Sequence, residues 1–262
     1  MESLFMRVPA EIRLMIYSEL FDCDITETKS GRKTLSIRNG EANSLPGTAT
    51  RTRTRYYVMS RSLHRLCFET TYRLTTKSAN FCAALMRVNR AVYNETSQLV
   101  YGKHVFDFGS DAEAVRPFLS DLTPASRRLV THIELYRRGP SHIDKESDRF
   151  EWRAMCAYLR DHISLEHLRL VVQAGRPAGP WDGPRELSSA DLELLAGVHV
   201  DVLDWVADIA RLKGLRDIEI VPAYCFSPQP QTTNMLVFAA LSASIETGFT
   251  EFMRAQLGLA LK

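Results

Sequence analysis

The sequence predicts a mixed α/β protein in which a helical N-terminal region precedes a βα-alternating part with a mostly parallel sheet. Three observations carry this. Residues 8–20, VPAEIRLMIYSEL, place Ile12, Met15, Ile16 and Leu20 on one stripe at helical spacing. Residues 81–100 return to helical spacing with Phe81, Leu85, Val88, Val92 and Leu99. Three later segments, VTHIEL, LEHLRL and LRDIEI, each hold apolar residues at positions 1, 4 and 6 and each follow a helical stretch.

Along the first part, Pro9 suits the opening turn of a helix, where its missing N–H is not needed. Glu11 in that turn favours the helix dipole, and Asp22 and Asp24 end the pattern. Residues 27–55 are polar and basic and read as a hairpin or mobile loop, in the stretch from Ile25 to Ser78 where the periodicity weakens. Within it RYYVMS (55–60) fits a short strand, and SLHRLCFETTYRL (62–74) fits either a helix or a buried linker. The 81–100 pattern predicts one long helix stopped by Gly102. HVFDF (104–108) then fits a strand, and a helix capped by Ser110 or Asp111 follows.

The three later segments place Val130, Ile133 and Leu135, then Leu165, Leu168 and Leu170, then Leu215, Ile218 and Ile220 in equivalent positions. Positions 4 and 6 face one side of a strand, and position 1 turns into the core as the strand begins. This is the LxxLxL pattern of leucine-rich repeats, whose strands stack in parallel. The spacing is irregular, and a Gly/Pro-rich stretch, AGRPAGPWDGPRELSS (174–189), lengthens the second interval. An ordinary parallel α/β sheet without repeat ancestry gives the same alternation. Residues 233–257 read as a final helix or helix pair in which Leu236, Ala240, Phe249, Phe252, Met253 and Leu257 cover the open end of the sheet.

Charge is unevenly spread. The net charge of the 262 residues is +2, yet residues 29–103 hold 14 basic against three acidic side chains, and residues 104–262 are net acidic. Such a segment suits an anionic partner or a solvated loop. Its best nucleic-acid signal is Arg51, Arg53 and Arg55 followed by Tyr56 and Tyr57, pairing phosphate contacts with stacking rings. The five cysteines are scattered without a CxxC, which fits reduced thiols in an intracellular protein, cytoplasmic or nuclear. The longest apolar run, 235–245, is shorter than a membrane span needs, so no membrane partner is expected. Glu2, Arg7, Glu11 and Arg13 interrupt the N-terminus as a signal peptide.

Phosphate-binding, dinucleotide-binding and nucleophile-elbow motifs are missing, and no HxxxH or HExxH pair occurs. The sequence therefore nominates no catalytic residue, no metal ligand and no cofactor. An enzyme built from distant residues would need a polar cleft with perturbed titrating groups.

VPAEIRLMIYSEL resembles the opening of an F-box, approximately LPxEIxxxIxxxL, with Val8, Pro9, Glu11, Ile12, Ile16 and Leu20 in the matching places. ALMRVNRAVYNETSQLVYGKHVFDF (84–108) is similar to a segment that accompanies that opening in fungal F-box-like proteins, LLRVCRQIYxEAxxxLYxxNxFxF. Leu85, Arg87, Val88, Arg90, Tyr93, Glu95, Leu99, Tyr101, Phe106 and Phe108 match it. The resemblance implies a module that docks on the Skp-type adaptor of a cullin–RING ubiquitin ligase through Val8, Pro9, Ile12, Ile16 and Leu20. A leucine-rich-repeat-like C-terminal domain would then recruit an unknown protein substrate, with catalysis left to other subunits.

The implied organisation is an F-box-like helix (1–24), a basic insertion (25–78), a long helix completing the F-box-like region (79–103) and the repeat-like domain (104–262). The chain departs from the family by about 60 residues of polar sequence between the two matches. Two geometries follow. The apolar stripe of residues 12–20 faces a partner, or it packs on the 81–100 helix as part of one core.

Overall fold

The LxxLxL segments lie side by side in the computed structural model. It describes residues 4–21, 34–39, 54–59, 67–75, 83–139, 145–180, 186–198 and 200–260, with Arg32 and Gly183. Strands β5 (His132–Arg137), β6 (His167–Pro177) and β7 (Asp217–Ser227) pair in parallel. Their register aligns Ile133 with Leu168 and Ile218, and Leu135 with Leu170 and Ile220. All six side chains are buried, so equivalent positions in the sequence form two apolar layers across the sheet. Val130 and Leu165, the first positions of their segments, are buried where the strands begin.

The sheet extends further than the three segments. Its order is β2-β3-β1-β4-β5-β6-β7, where β1 is Thr34–Asn39, β2 Thr54–Met59, β3 Cys67–Thr75 and β4 Val105–Asp107. Strands β1, β4, β5, β6 and β7 form a parallel block, while β3 runs antiparallel to both β1 and β2. The fold is thus mixed α/β with a mostly parallel sheet, as the alternation predicts.

The stretch from 25 to 78 contributes three of these strands: β1 lies in the part read as a hairpin or mobile loop, and β2 covers most of the strand expected at 55–60. Residues 67–75, which the apolar spacing assigns to a helix or a buried linker, are instead β3. The β-branched and aromatic content of CFETTYRLT explains the outcome better than the apolar spacing does. Leu35 and Ile37 of β1 are fully buried, so the sheet runs without a break through the boundary expected at residue 104.

The helices fill the crossovers between parallel strands. Helices α3 (Val115–Ser120) and α4 (Pro124–Leu129) join β4 to β5, and α5 (Lys145–His162) joins β5 to β6. Helices α6 (Ser189–Gly197) and α7 (Val206–Ala210) join β6 to β7. The long helix expected over 81–100 is instead a short 3₁₀ turn, Ala83–Arg87, followed by α2 (Arg90–Lys103). Asn89 causes the break: its extended backbone caps α2, and its side chain accepts the Val92 N–H.

The chain closes with α8 (Thr233–Ala243) and α9 (Gly248–Gln256). Strand β6 outruns β5 by five residues, and α8 lies beside the part left over, with the Gly175 N–H donating to Ser242 Oγ. A Cβ on Gly175 would stand 2.6 Å from the Phe238 ring, so only glycine permits this approach. Arg254 on α9 caps the outer edge of β7 by bonding Asp217 Oδ1 and the Ile218 carbonyl. Among the described residues no single helix is long and apolar enough to cross a membrane. The apolar run at 235–245 becomes α8, which buries Phe238, Ala239, Ala240 and Leu241.

Candidate docking surface

Of the predicted adaptor-binding residues, Ile12, Ile16 and Leu20 lie on helix α1 (Ala10–Phe21), and Val8 and Pro9 immediately precede it. Arg13, Tyr17 and Phe21 form its buried row, at i, i+4 and i+8. This row packs on α2, so the two segments that carry the family resemblance touch each other. Phe5, in a 3₁₀ turn at Leu4–Arg7, packs on Tyr17 with the rings tilted at 56° and their centroids 5.8 Å apart.

A buried arginine needs acceptors, and Arg13 has several. Its Nε donates to Glu95 Oε2 at 3.1 Å, its Nη2 bonds the second carboxylate oxygen, and its Nη1 reaches the Val8 and Met6 carbonyls. The guanidinium therefore fixes the first turn of the chain and docks α1 on α2 in one motion. Hydrogen bonding from Arg13 holds the Glu95 carboxyl below its usual range. Burial pushes the Tyr17 hydroxyl above its own.

With that row spent on α2, the apolar stripe points outward. Ile12, Met15, Ile16 and Leu20 are 46, 64, 40 and 38% exposed. Pro9 is exposed beside them and Val8 is half-buried. Helix α1 therefore does pack on α2, but with its other face, and the apolar stripe stays exposed. Four large apolar side chains on adjacent turns leave one apolar patch open to solvent.

Of the nucleic-acid candidates, Arg51 and Arg53 lie outside the described residues. Arg55, Tyr56 and Tyr57 stand on β2, the outermost strand of the antiparallel flank, opposite Thr71, Thr70 and Glu69 of β3.

The sequence did not single out Arg13 or the polar face of the sheet. On that face the parallel register stacks His132 on His167, with ring centroids 4.3 Å apart. One row further, Arg169 bridges Glu134 at 2.9 Å and Glu219 at 3.3 Å. His132, His167, Arg169 and Glu219 line a concavity of about 310 Å³ with Asp217 and Arg32. Burial, with the Arg32 charge and His167 nearby, pushes the His132 imidazole down to about 4. Where β4 hands over to α3, burial pushes the Glu113 carboxyl up to about 7. Spacing along one chain cannot reveal such pairs, because they are made by strands 35 residues apart meeting in register.

A protein-family profile, Domain of unknown function (DUF7730), matches residues 1–206. The chain belongs to the DUF7730 family. The match runs from α1 through α6, so the outward stripe, the Arg13–Glu95 pair and both resembling segments fall within one family unit. No curated protein and no solved structure matches the chain.

Proposed function

We propose that this DUF7730 protein is a non-catalytic interaction protein whose α1 stripe docks on the Skp-type adaptor of a cullin–RING ubiquitin ligase. The sheet-bearing remainder would present an unknown protein substrate. The outward placement of Ile12, Met15, Ile16 and Leu20 carries this reading, together with the F-box-like spacing of the same residues. A helix in a groove is stabilised by such anchors, each worth roughly 1 kcal/mol or more when its remaining exposed surface is buried. The rest of α1 is fixed in advance by Arg13 and Tyr17, so docking would not first have to order the helix. The test is co-purification with adaptor and cullin. Wild type should be recovered with both, and Ile12→Asp with Ile16→Asp should not be.

A further inference from the structure

Strand β7 is an outer edge of the sheet, and Arg254 covers only its beginning. The Asp217 N–H bonds the Glu166 carbonyl, so odd-numbered residues of β7 turn their backbone groups toward β6. Even-numbered residues turn theirs outward. Of these, Ile218 gives its carbonyl to Arg254, and Pro222 has no N–H to offer. Beyond Pro222, the N–H and C=O of Tyr224 and Phe226 point away from the sheet, and among the described residues no strand pairs with them. Such an edge is a template for another strand, and charged side chains are a usual guard against it. Residues 220–227, IVPAYCFS, carry no charge, and Tyr224 and Phe226 stand 48 and 96% exposed.

Pro222 restricts what can be added. A strand laid along the whole edge would meet a missing donor there, which leaves residues 223–227 for pairing. So short a ladder needs matching side chains, and a second copy brings them. In an antiparallel, two-fold arrangement Tyr224 of each copy lies opposite Phe226 of the other, an aromatic pair made twice. Four backbone hydrogen bonds then form, and neither Pro222 takes part. The charges around this contact are complementary too. Arg176 is anchored beside Phe226 by the β6–β7 register, with its guanidinium 4.1 Å over the Tyr224 ring of its own copy. Glu246 accepts from the Tyr224 hydroxyl at 3.4 Å, and both charged residues are exposed. Each Phe226–Tyr224 contact is therefore flanked by Arg176 of one copy and Glu246 of the other.

We infer that the outer edge of β7 binds a second copy of this chain, antiparallel about a two-fold axis at Cys225, and so joins two sheets into one. The free Cys225 then meets its own counterpart as a non-hydrogen-bonded pair, with about 4.5 Å between Cα atoms, within disulfide range. Its sulfur accepts from Gln173 Nε2 at 3.3 Å, a weak bond that a change of rotamer releases. The inference stands apart from the adaptor reading, since α1 takes no part in it.

The experiment sediments the isolated full chain over a range of concentrations under reducing conditions. Parallel samples are treated with diamide, which takes up the two thiol hydrogens as a disulfide forms. A dimer that grows with concentration is expected, together with a covalent dimer after diamide. Cys225→Ser should keep the first and lose the second. Phe226→Lys alters an exposed side chain, so it should fold as wild type does and weaken the dimer at least tenfold. A monomer at every concentration, a dimer undiminished by Phe226→Lys, or a covalent dimer that survives Cys225→Ser would overturn the inference. Loss of the dimer in the Ile12→Asp, Ile16→Asp variant would overturn it as well, by placing the contact on α1.

Discussion

Helices α1 and α5 carry nearly the same apolar pattern and use it in opposite ways. In α5, Trp152, Met155, Cys156 and Leu159 recur at i, i+3, i+4 and i+7 and are all buried. In α1, Ile12, Met15, Ile16 and Leu20 recur at i, i+3, i+4 and i+8 and are all exposed. The difference lies in the complementary faces. Helix α5 offers Arg153, Arg160 and Asp161 to water, so only its apolar stripe can enter a core. Helix α1 owns a second row, Arg13, Tyr17 and Phe21, which is large, aromatic and charge-matched to Glu95. Periodicity therefore identifies a stripe, but what the opposite face can bury decides where that stripe points.

This comparison can be broken by substitution, beginning with the largest effect. Trp152→Ala removes the bulkiest fully buried side chain of α5 and should cost about 3–5 kcal/mol in denaturant unfolding. A loss under about 1 kcal/mol would mean that the α5 stripe is not core. Glu95→Gln leaves Arg13 with a neutral partner and should lower the melting temperature by less than Trp152→Ala does. An unchanged melting temperature would show that the inward row of α1 does not hold the helix in place.

Two titrations sharpen the account of the sheet and its edges. Glu113 keeps a proton in the folded state up to about pH 7 that the unfolded carboxyl releases near 4.5. Its contribution therefore falls as pH rises from 4.5 to 7, and Glu113→Gln should stabilise the protein at pH 8 by about 1–2 kcal/mol and little at pH 4. His132 has the opposite sign. The folded imidazole resists protonation down to about 4 while the unfolded one accepts a proton near 6.5, so stability is lost as pH falls between these values. His132→Gln should flatten that acid limb by about 1 kcal/mol, and an unaltered limb would place the acid sensitivity elsewhere.

Much of the architecture was legible because parallel strands reward repeated spacing. Val130-x-x-Ile133-x-Leu135 and its two counterparts align in register as the pattern implies. Strand β3 was not legible, because Leu63, Leu66, Cys67 and Leu74 carry a helical spacing and no alternation. The break before α2 was present in Asn89, a strong cap three residues ahead of the amide it accepts from, but the apolar spacing ran across it. At the docking surface, the stripe was readable and its direction was not. The signal for direction was Glu95, the only acid of α2, waiting for a basic partner on α1.

The central claim is that α1 is held by one face and recognised by the other. The most direct test titrates purified Skp-type adaptor into wild type and into the Ile12→Asp, Ile16→Asp double variant by calorimetry, with thermal unfolding of both proteins alongside. Saturable binding by wild type, about 100-fold weakening in the variant and stability unchanged within about 0.5 kcal/mol are predicted. Wild type that does not bind, or a variant that binds equally well, would contradict the claim.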